Sequence, residues 1–170
     1  MSRCPRPLSG SAGKCLHFFF DTSAIIKRYV RETGSDFVEE LAEPESGNII
    51  ILAGITHVEV AATIARRLKG GSVTNTDAAD ALAAFTHDLH NRYLMVDIGP
   101  DILSAAMKMA TKHALRGYHA VQLTAALDVN AELLASGLPP VIVVSADSEL
   151  NTAAIAEGLS VENPNNYGSN

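Results

Sequence analysis

Three carboxylates stand at or just beyond short apolar runs. Asp21 directly follows Leu16-His17-Phe18-Phe19-Phe20, and Asp147 follows Val141-Ile142-Val143-Val144 after Ser145-Ala146. Glu59 falls in the first turn of a helix entered straight from the apolar run near Ile51. Converging carboxylates repel one another, and a cluster is tolerable when a hard divalent cation neutralises it, so these acids predict Mg2+ or Mn2+. Such an ion can activate water and stabilise the charge that builds up at a phosphodiester during in-line attack, without a covalent nucleophile. Taken singly, each acid has a plainer explanation: Asp is a preferred N-cap, and a Glu near a helix start suits the helix dipole.

The elements around these residues alternate. The run Leu16–Phe20 reads as a buried strand ending at the polar turn Asp21-Thr22-Ser23, followed by helical spacing of Ile25, Ile26, Tyr29 and Val30. A helix over Ser35–Ala42 and a strand over Ile49–Leu52 follow. Thr56 then caps a helix with Val58, Ala61, Ala62, Ala65 and Leu68 on one face, stopped by Gly70-Gly71. Further helices are expected near Asn75–His90, Asp101–Ala114, from Gly117 to about Leu133, and Leu150–Glu157. Strands are expected at Tyr93–Val96, Val141–Val144 and, as a short edge, Ser160–Glu162. Short, wholly apolar strands separated by helices predict a three-layer α/β/α fold with a central, mainly parallel sheet. In such sheets the ligand crevice lies beyond the C-terminal strand ends, where Asp21 and Asp147 fall.

Composition sets outer limits. The chain has 170 residues, 47% apolar and 19% charged, enough for one domain with a sizeable core. That domain is expected over residues 16–164, between a flexible N-terminal extension (1–15) and a flexible C-terminal tail (165–170). The net charge of −6 excludes nucleic-acid binding through a broad basic surface. All six charged residues after Arg116 are acidic. Cys4 and Cys15 precede the first element, so neither a disulfide framework nor zinc-ligand spacing is expected, and a reducing compartment follows. The run Leu16–Phe20 is too short for a signal-peptide core or a membrane span, which points to a cytoplasmic protein without membrane contact. Nucleotide-binding glycine loops, the serine-hydrolase elbow G-x-S-x-G and H-E-x-x-H are all missing from the sequence. An aspartyl-phosphatase pattern wants a second Asp two residues after the first, where Ser23 stands.

Four segments in order carry a family resemblance: Phe20-Asp21-Thr22-Ser23-Ala24 with Lys27 and Tyr29; Thr56-His57-Val58-Glu59-Val60 leading to Ala65-Arg66-Arg67; Leu115-Arg116-Gly117-Tyr118-His119-Ala120-Val121-Gln122-Leu123; and Val144-Ser145-Ala146-Asp147 with Leu150, Gly158-Leu159 and Asn163-Pro164. Over about residues 17–164 the chain resembles the PIN-domain ribonucleases, in particular the VapC-type toxins of toxin–antitoxin pairs. The resemblance implies an endoribonuclease using Mg2+ or Mn2+, held by Asp21, Glu59 and Asp147. It makes Thr22 or Ser23 a support of the first Asp and Ser145 an aid in orienting a metal water. It further implies an RNA substrate, a homodimer and inhibition by a cognate VapB-type antitoxin.

The chain departs from the family at His119, where the motif carries an Asp. Imidazole prefers softer ions than Mg2+, and a protonated ring beside acids could itself serve as the neutralising cation. His119 therefore stands as a catalytic candidate in the position of a carboxylate. Two readings stay open: an altered metal-dependent ribonuclease, and a catalytically impaired PIN-like module that binds RNA or an antitoxin without cleavage. Lys27, Arg28, Arg66 and Arg116 are the candidate phosphate contacts, with Arg31 and Arg67 nearby.

Overall fold

The computed structural model describes residues 15–168. Its sheet has five strands, β1 (His17–Phe20), β2 (Ile49–Ala53), β3 (Leu94–Val96), β4 (Ile142–Val144) and β5 (Ser160–Glu162), ordered β3-β2-β1-β4-β5. Every pairing is parallel, so the expected mainly parallel sheet is wholly parallel. The connections are α1 (Thr22–Ile25) running into a 3-10 turn (Ile26–Arg28), α2 (Ser35–Ala42), α3 (Thr56–Lys69), α4 (Asn75–Asn91), α5 (Pro100–His113), α6 (Gly117–Ala135) and α7 (Ser148–Ala156). Among the described residues no helix is long and apolar enough to cross a membrane.

The period-2 alternation of the strands divides the core. Phe18, Phe20, Ile50, Leu52 and Val144 face α1 to α4, while Phe19, Ile51, Ala53, Val141 and Val143 face α5 to α7. Helices cover both faces, which explains the uninterrupted apolar runs Phe18–Phe20, Ile49–Ala53 and Ile142–Val144 of the three central strands. Helix α6 lies deepest, burying ten residues from His119 to Leu133, and so carries the polar side chains of His119, Gln122 and Thr124 into the interior.

Several local expectations change. The helix after Asp21 is brief, tightening into the 3-10 turn within seven residues. Thr56 does not cap α3. It is the first helical residue, fully buried, and the N-cap is Ile55. The inward stripe of α3 is Thr56, Val60 and Ile64, leaving Val58 70% exposed and Ala61 and Ala65 at the surface. Two apolar stripes compete on this helix, and the short β2–α3 turn selects the one that meets the sheet.

The expected tail also moves. Pro164–Tyr167 form a 3-10 turn, Tyr167 stacks on Phe37 at 3.9 Å between ring centroids, and Asn165 accepts a hydrogen bond from Lys27. Gly34 makes this docking feasible. Its φ is +84°, and an added Cβ would stand 2.3 Å from the Pro164 carbonyl oxygen. The cysteine expectation is corrected at Cys15, which is disulfide-bonded. Cys4 and the rest of the proposed N-terminal extension up to residue 14 lie outside the described residues, as do residues 169–170.

Candidate active site

Strand order reverses between β1 and β4, the position where α/β sheets open a crevice. Phe20 pairs with Val144, and the Asp21 amide donates to the Val144 carbonyl at 3.1 Å. The two chains therefore leave the sheet side by side. Beyond them lies a cleft of about 870 Å³, lined among others by Asp21, Glu59, His119 and Asp147. The structure thus brings all four sequence candidates into one cavity.

Asp21 is 3% exposed and caps α1, accepting hydrogen bonds from the Ala24 amide at 3.1 Å and the Ser23 hydroxyl at 2.8 Å. Burial pushes its carboxyl up to about 6, against the pull of the Ser23 and Ala24 hydrogen bonds, and the charge of Asp147 adds to the rise. Ser23 Oγ also accepts from the Ala146 amide at 2.8 Å, so one hydroxyl ties the post-β1 acid to the post-β4 turn. Asp147 caps α7 through the Leu150 amide at 2.8 Å. Its own amide donates to the fully buried Ser145 hydroxyl at 3.1 Å. Ser145 thereby shapes the turn that presents Asp147.

Glu59 is oriented from two other elements. Thr22 Oγ1 donates to its Oε2 at 2.6 Å and Gln122 Nε2 at 2.9 Å, and Gln122 Nε2 also reaches Thr56 Oγ1 at 3.0 Å. The two candidate hydroxyls thus divide their work: Ser23 serves Asp21 and Thr22 serves Glu59. Gln122, 1% exposed, is a positioning residue that the sequence reading quoted but did not assign. Its signal was its place one turn beyond His119 on the same face of α6. Gln122→Leu removes the donor to Glu59, and outer-shell losses of this kind cost about 10- to 100-fold in metal affinity or activity. The expected result is a 10-fold or greater rise in the Mn2+ concentration giving half-maximal nuclease rate, with a melting temperature near that of the parent. An unchanged Mn2+ requirement would remove the assignment.

His119 is 5% exposed on the first turn of α6. Its Nε2 stands 3.5 Å from Asp147 Oδ2, and its ring meets Tyr118 edge-on at 4.2 Å. Glu149, two residues beyond Asp147, joins them: ligand atoms of His119, Asp147 and Glu149 all lie within 4.8 Å of one another. Glu149 escaped the sequence reading, although an acid in the first turn of a helix that starts at a candidate acid was a usable signal. The donor set fits a divalent cation, since among the described residues no Lys or Arg pairs with Asp21, Glu59 or Asp147.

The candidate cations separate. Arg66 and Arg116 are exposed and line the cleft, and Arg116 contacts the Tyr118 hydroxyl at 3.4 Å. Lys27 lines it too but is 4% exposed, its ammonium donating to Glu32, the Thr33 carbonyl and Asn165 at 2.8 to 2.9 Å. Arg67 pairs with the same Glu32. Arg28 is the correction: it is not among the cleft residues, and its guanidinium is held by Asp88 and Glu43 at 3.2 and 3.1 Å. Two carboxylates from α4 and the α2 end draw it to the opposite side of its short 3-10 turn.

The wholly parallel α/β/α sandwich with a carboxylate-lined cleft at its switch point defines a PIN-like protein. Structures sharing this fold include PAE2754 from Pyrobaculum aerophilum (TM-score 0.53, 17% identity, covering 88% of this chain and 92% of that one). VapBC2 from Rickettsia felis bound to a promoter DNA fragment is another (TM-score 0.55, 12% identity, 87% and 98%). FitAcB from Neisseria gonorrhoeae is a third (TM-score 0.50, 16%, 86% and 97%). No family model matches the chain. Two curated relatives from Mycobacterium tuberculosis, ribonuclease VapC45 of strain CDC 1551 / Oshkosh and ribonuclease VapC49 of strain H37Rv, are each 30% identical over 143 residues, covering 84% of this chain and 92% of the relative. The chain belongs to the VapC ribonuclease family.

Proposed function

We propose that this protein is a divalent-metal-dependent endoribonuclease, the toxin of a type II toxin–antitoxin pair, with Asp21, Glu59 and Asp147 as metal ligands and His119 beside them. The observation that carries this reading is the convergence of these residues in the cleft at the β1/β4 switch point. A bound Mg2+ or Mn2+ there supplies charge neutralisation for the acids and for a phosphodiester, and lowers the pKa of water. The chain's own residues do the rest. Ser23 and the Ala24 amide fix Asp21, Thr22 and Gln122 fix Glu59, and the Ser145 turn fixes Asp147. Arg66 and Arg116, free of carboxylate partners among the described residues, hold substrate phosphates at the rim. Lys27 acts from beneath by anchoring Glu32 and Asn165.

The reading extends to a VapB-type antitoxin as partner, a cytoplasmic setting and a homodimer. Leu103 and Met107, 49% and 73% exposed on α5, offer apolar surface to a second copy. The second reading, an impaired module that binds RNA or antitoxin without cleaving, is favoured by one observation, the imidazole of His119 standing among the carboxylates.

Incubating the parent and His119→Asp with single-stranded RNA in Mg2+, in Mn2+ and in chelator tests both. The expected result is cleavage by the parent in Mn2+ that chelator abolishes, with His119→Asp at least 10-fold faster in Mg2+. Cleavage by His119→Asp alone would assign the parent to the binding role, and cleavage by neither would remove the nuclease reading.

A further inference from the structure

We infer that His119, Asp147 and Glu149 form a nitrogen-and-oxygen metal site that selects a first-row transition ion such as Mn2+, Co2+ or Zn2+ over Mg2+, with Glu149 as an added ligand. The inference deepens the proposed function, because Asp147 belongs to both ligand sets. Its starting point is the state of the imidazole. His119 is 95% buried as judged by its 5% exposure, and Nδ1 has no hydrogen-bond partner among the described residues. Nε2 points to Asp147 Oδ2 at 3.5 Å, longer than a well-formed N–H···O bond. Nε2 makes no hydrogen bond with the acid it faces, so an ion between this nitrogen and the acids gives it the partner it lacks, and the ligand atoms of all three residues already lie within 4.8 Å of one another.

The nature of the ligand follows from the donors. Two carboxylates facing one imidazole nitrogen call for a cation, and Mg2+ takes all-oxygen surroundings and keeps several waters, whereas imidazole suits Zn2+ and its first-row neighbours. The scaffold supports such a site. Asp147 is held by its cap and by Ser145, His119 by the deeply buried start of α6, and Glu149 projects from the first turn of α7 at the open rim. One other cation stands close enough to compete. Arg116 feels the charges of both Glu149 and Asp147, yet its guanidinium bonds the Tyr118 hydroxyl instead of either acid. It leaves the pocket between ring and carboxylates to a smaller ion.

The test uses the full chain stripped of metal, titrated with Mn2+ while the electron paramagnetic resonance signal of free Mn2+ is followed, with Mg2+ and Zn2+ as competitors. The expected result is a saturable site from which Zn2+ displaces Mn2+ stoichiometrically and Mg2+ does so only in about 100-fold excess. Glu149→Gln, an exposed change that leaves the core intact, is expected to weaken Mn2+ binding about 10-fold or more. His119→Asp should bring the Mn2+ and Mg2+ affinities together. Thermal melts in chelator establish that each variant is folded.

If Mn2+ binding is lost in Asp21→Asn but unchanged in Glu149→Gln and His119→Asp, the ion sits on the other acids. The proposed site then fails while the ribonuclease reading stands. If the parent binds no Mn2+ but Arg116→Gln does, Arg116 is the counter-ion of the acids and the metal site is overturned. Absence of Mn2+ binding in every variant overturns it as well, and the RNA cleavage assay then decides the ribonuclease reading separately.

Discussion

Replacing Asp21 by Asn is expected to lower metal-dependent RNA cleavage about 1,000-fold while making the metal-free protein more stable. The loss follows from removing a carboxylate from a cation whose charge stabilisation is worth several kcal/mol in the transition state, about 4 kcal/mol corresponding to three decades of rate. The gain follows from the surroundings of Asp21. Asn retains an oxygen for the Ala24 amide and the Ser23 hydroxyl and is as good an N-cap as Asp, so the local structure has what it needs. What disappears is a buried charge. With the folded carboxyl pushed up to about 6 from an ordinary 3.8, the charged form costs the folded state about 3 kcal/mol at neutral pH.

The sign of the pH dependence is fixed by proton binding. Between pH 4 and 6 the folded chain binds more protons at Asp21 than the unfolded chain, so this group lowers stability as pH rises through that window. In chelator at pH 7.5, Asp21→Asn should therefore melt several degrees above the parent, and the difference should shrink as pH falls towards 4. Added Mn2+ should raise the parent's melting temperature more than that of the variant, which keeps His119, Asp147 and Glu149 but lacks the Asp21 charge. A variant that melts below the parent and still cleaves RNA would refute both halves.

The second large effect lies away from the cleft. Asp88→Ala is expected to cost about 3–5 kcal/mol, the usual result of removing one partner from a buried charge network. Asp88 is 7% exposed on α4 and accepts from Tyr29 at 2.9 Å, Tyr93 at 3.3 Å, Arg28 at 3.2 Å and Arg92 at 3.4 Å. The Tyr29 and Tyr93 hydroxyls meet at 2.5 Å. Without the carboxylate, a guanidinium and two phenols stay buried with too few acceptors. Marginal total stabilities of about 5–15 kcal/mol make such a loss visible as a large drop in urea midpoint.

Burial by itself pushes the Asp88 carboxyl up, but the hydrogen bonds of Tyr29 and Arg28 and the charges of Arg92 and Arg28 outweigh it and hold it below its ordinary value. Glu32 behaves alike, with burial overcome by Lys27 and Arg67. Their stabilisation is present above the ordinary carboxylate range and is lost as pH falls through the lowered values, below about 4. Acid unfolding of the parent should therefore steepen below pH 4, and Asp88→Asn should flatten that limb. An identical acid limb in parent and variant would show that the network carries no such coupling. Because Arg28 and Tyr29 close the 3-10 turn that follows Asp21 and α1, this cluster also anchors the segment beyond the first acid against α4.

The sequence alone determined the order of elements, the α/β class and the placement of Asp21 and Asp147 at one edge of the sheet. Each of these rests on local chemistry: uninterrupted apolar strands, glycine and proline stops, and an acid at the first polar position beyond a strand. The family motifs brought in Glu59 and His119, and all four residues line one cleft. The boundaries of α2 over Ser35–Ala42 were legible to the residue because Gly34 and Pro44 bracket it.

Which partner each side chain meets comes from the packing of distant segments. Val58 and Val60 are equally apolar, and only the angle at which α3 leaves β2 puts Val60 inside. Lys27 and Arg28 are adjacent cations, yet a rotation of about 120° between successive positions of the 3-10 turn gives one to Glu32 and Asn165 at the cleft and the other to Asp88 behind it. Gln122 acquires its role from Glu59, 63 residues away, and Glu149 acquires its role from His119 on another helix. Residue type and local spacing set which groups are available to the site. The packing of α3, α6 and α7 around the β1/β4 edge sets which of them touch, because contacts between distant segments depend on relative helix placement that local periodicity does not encode.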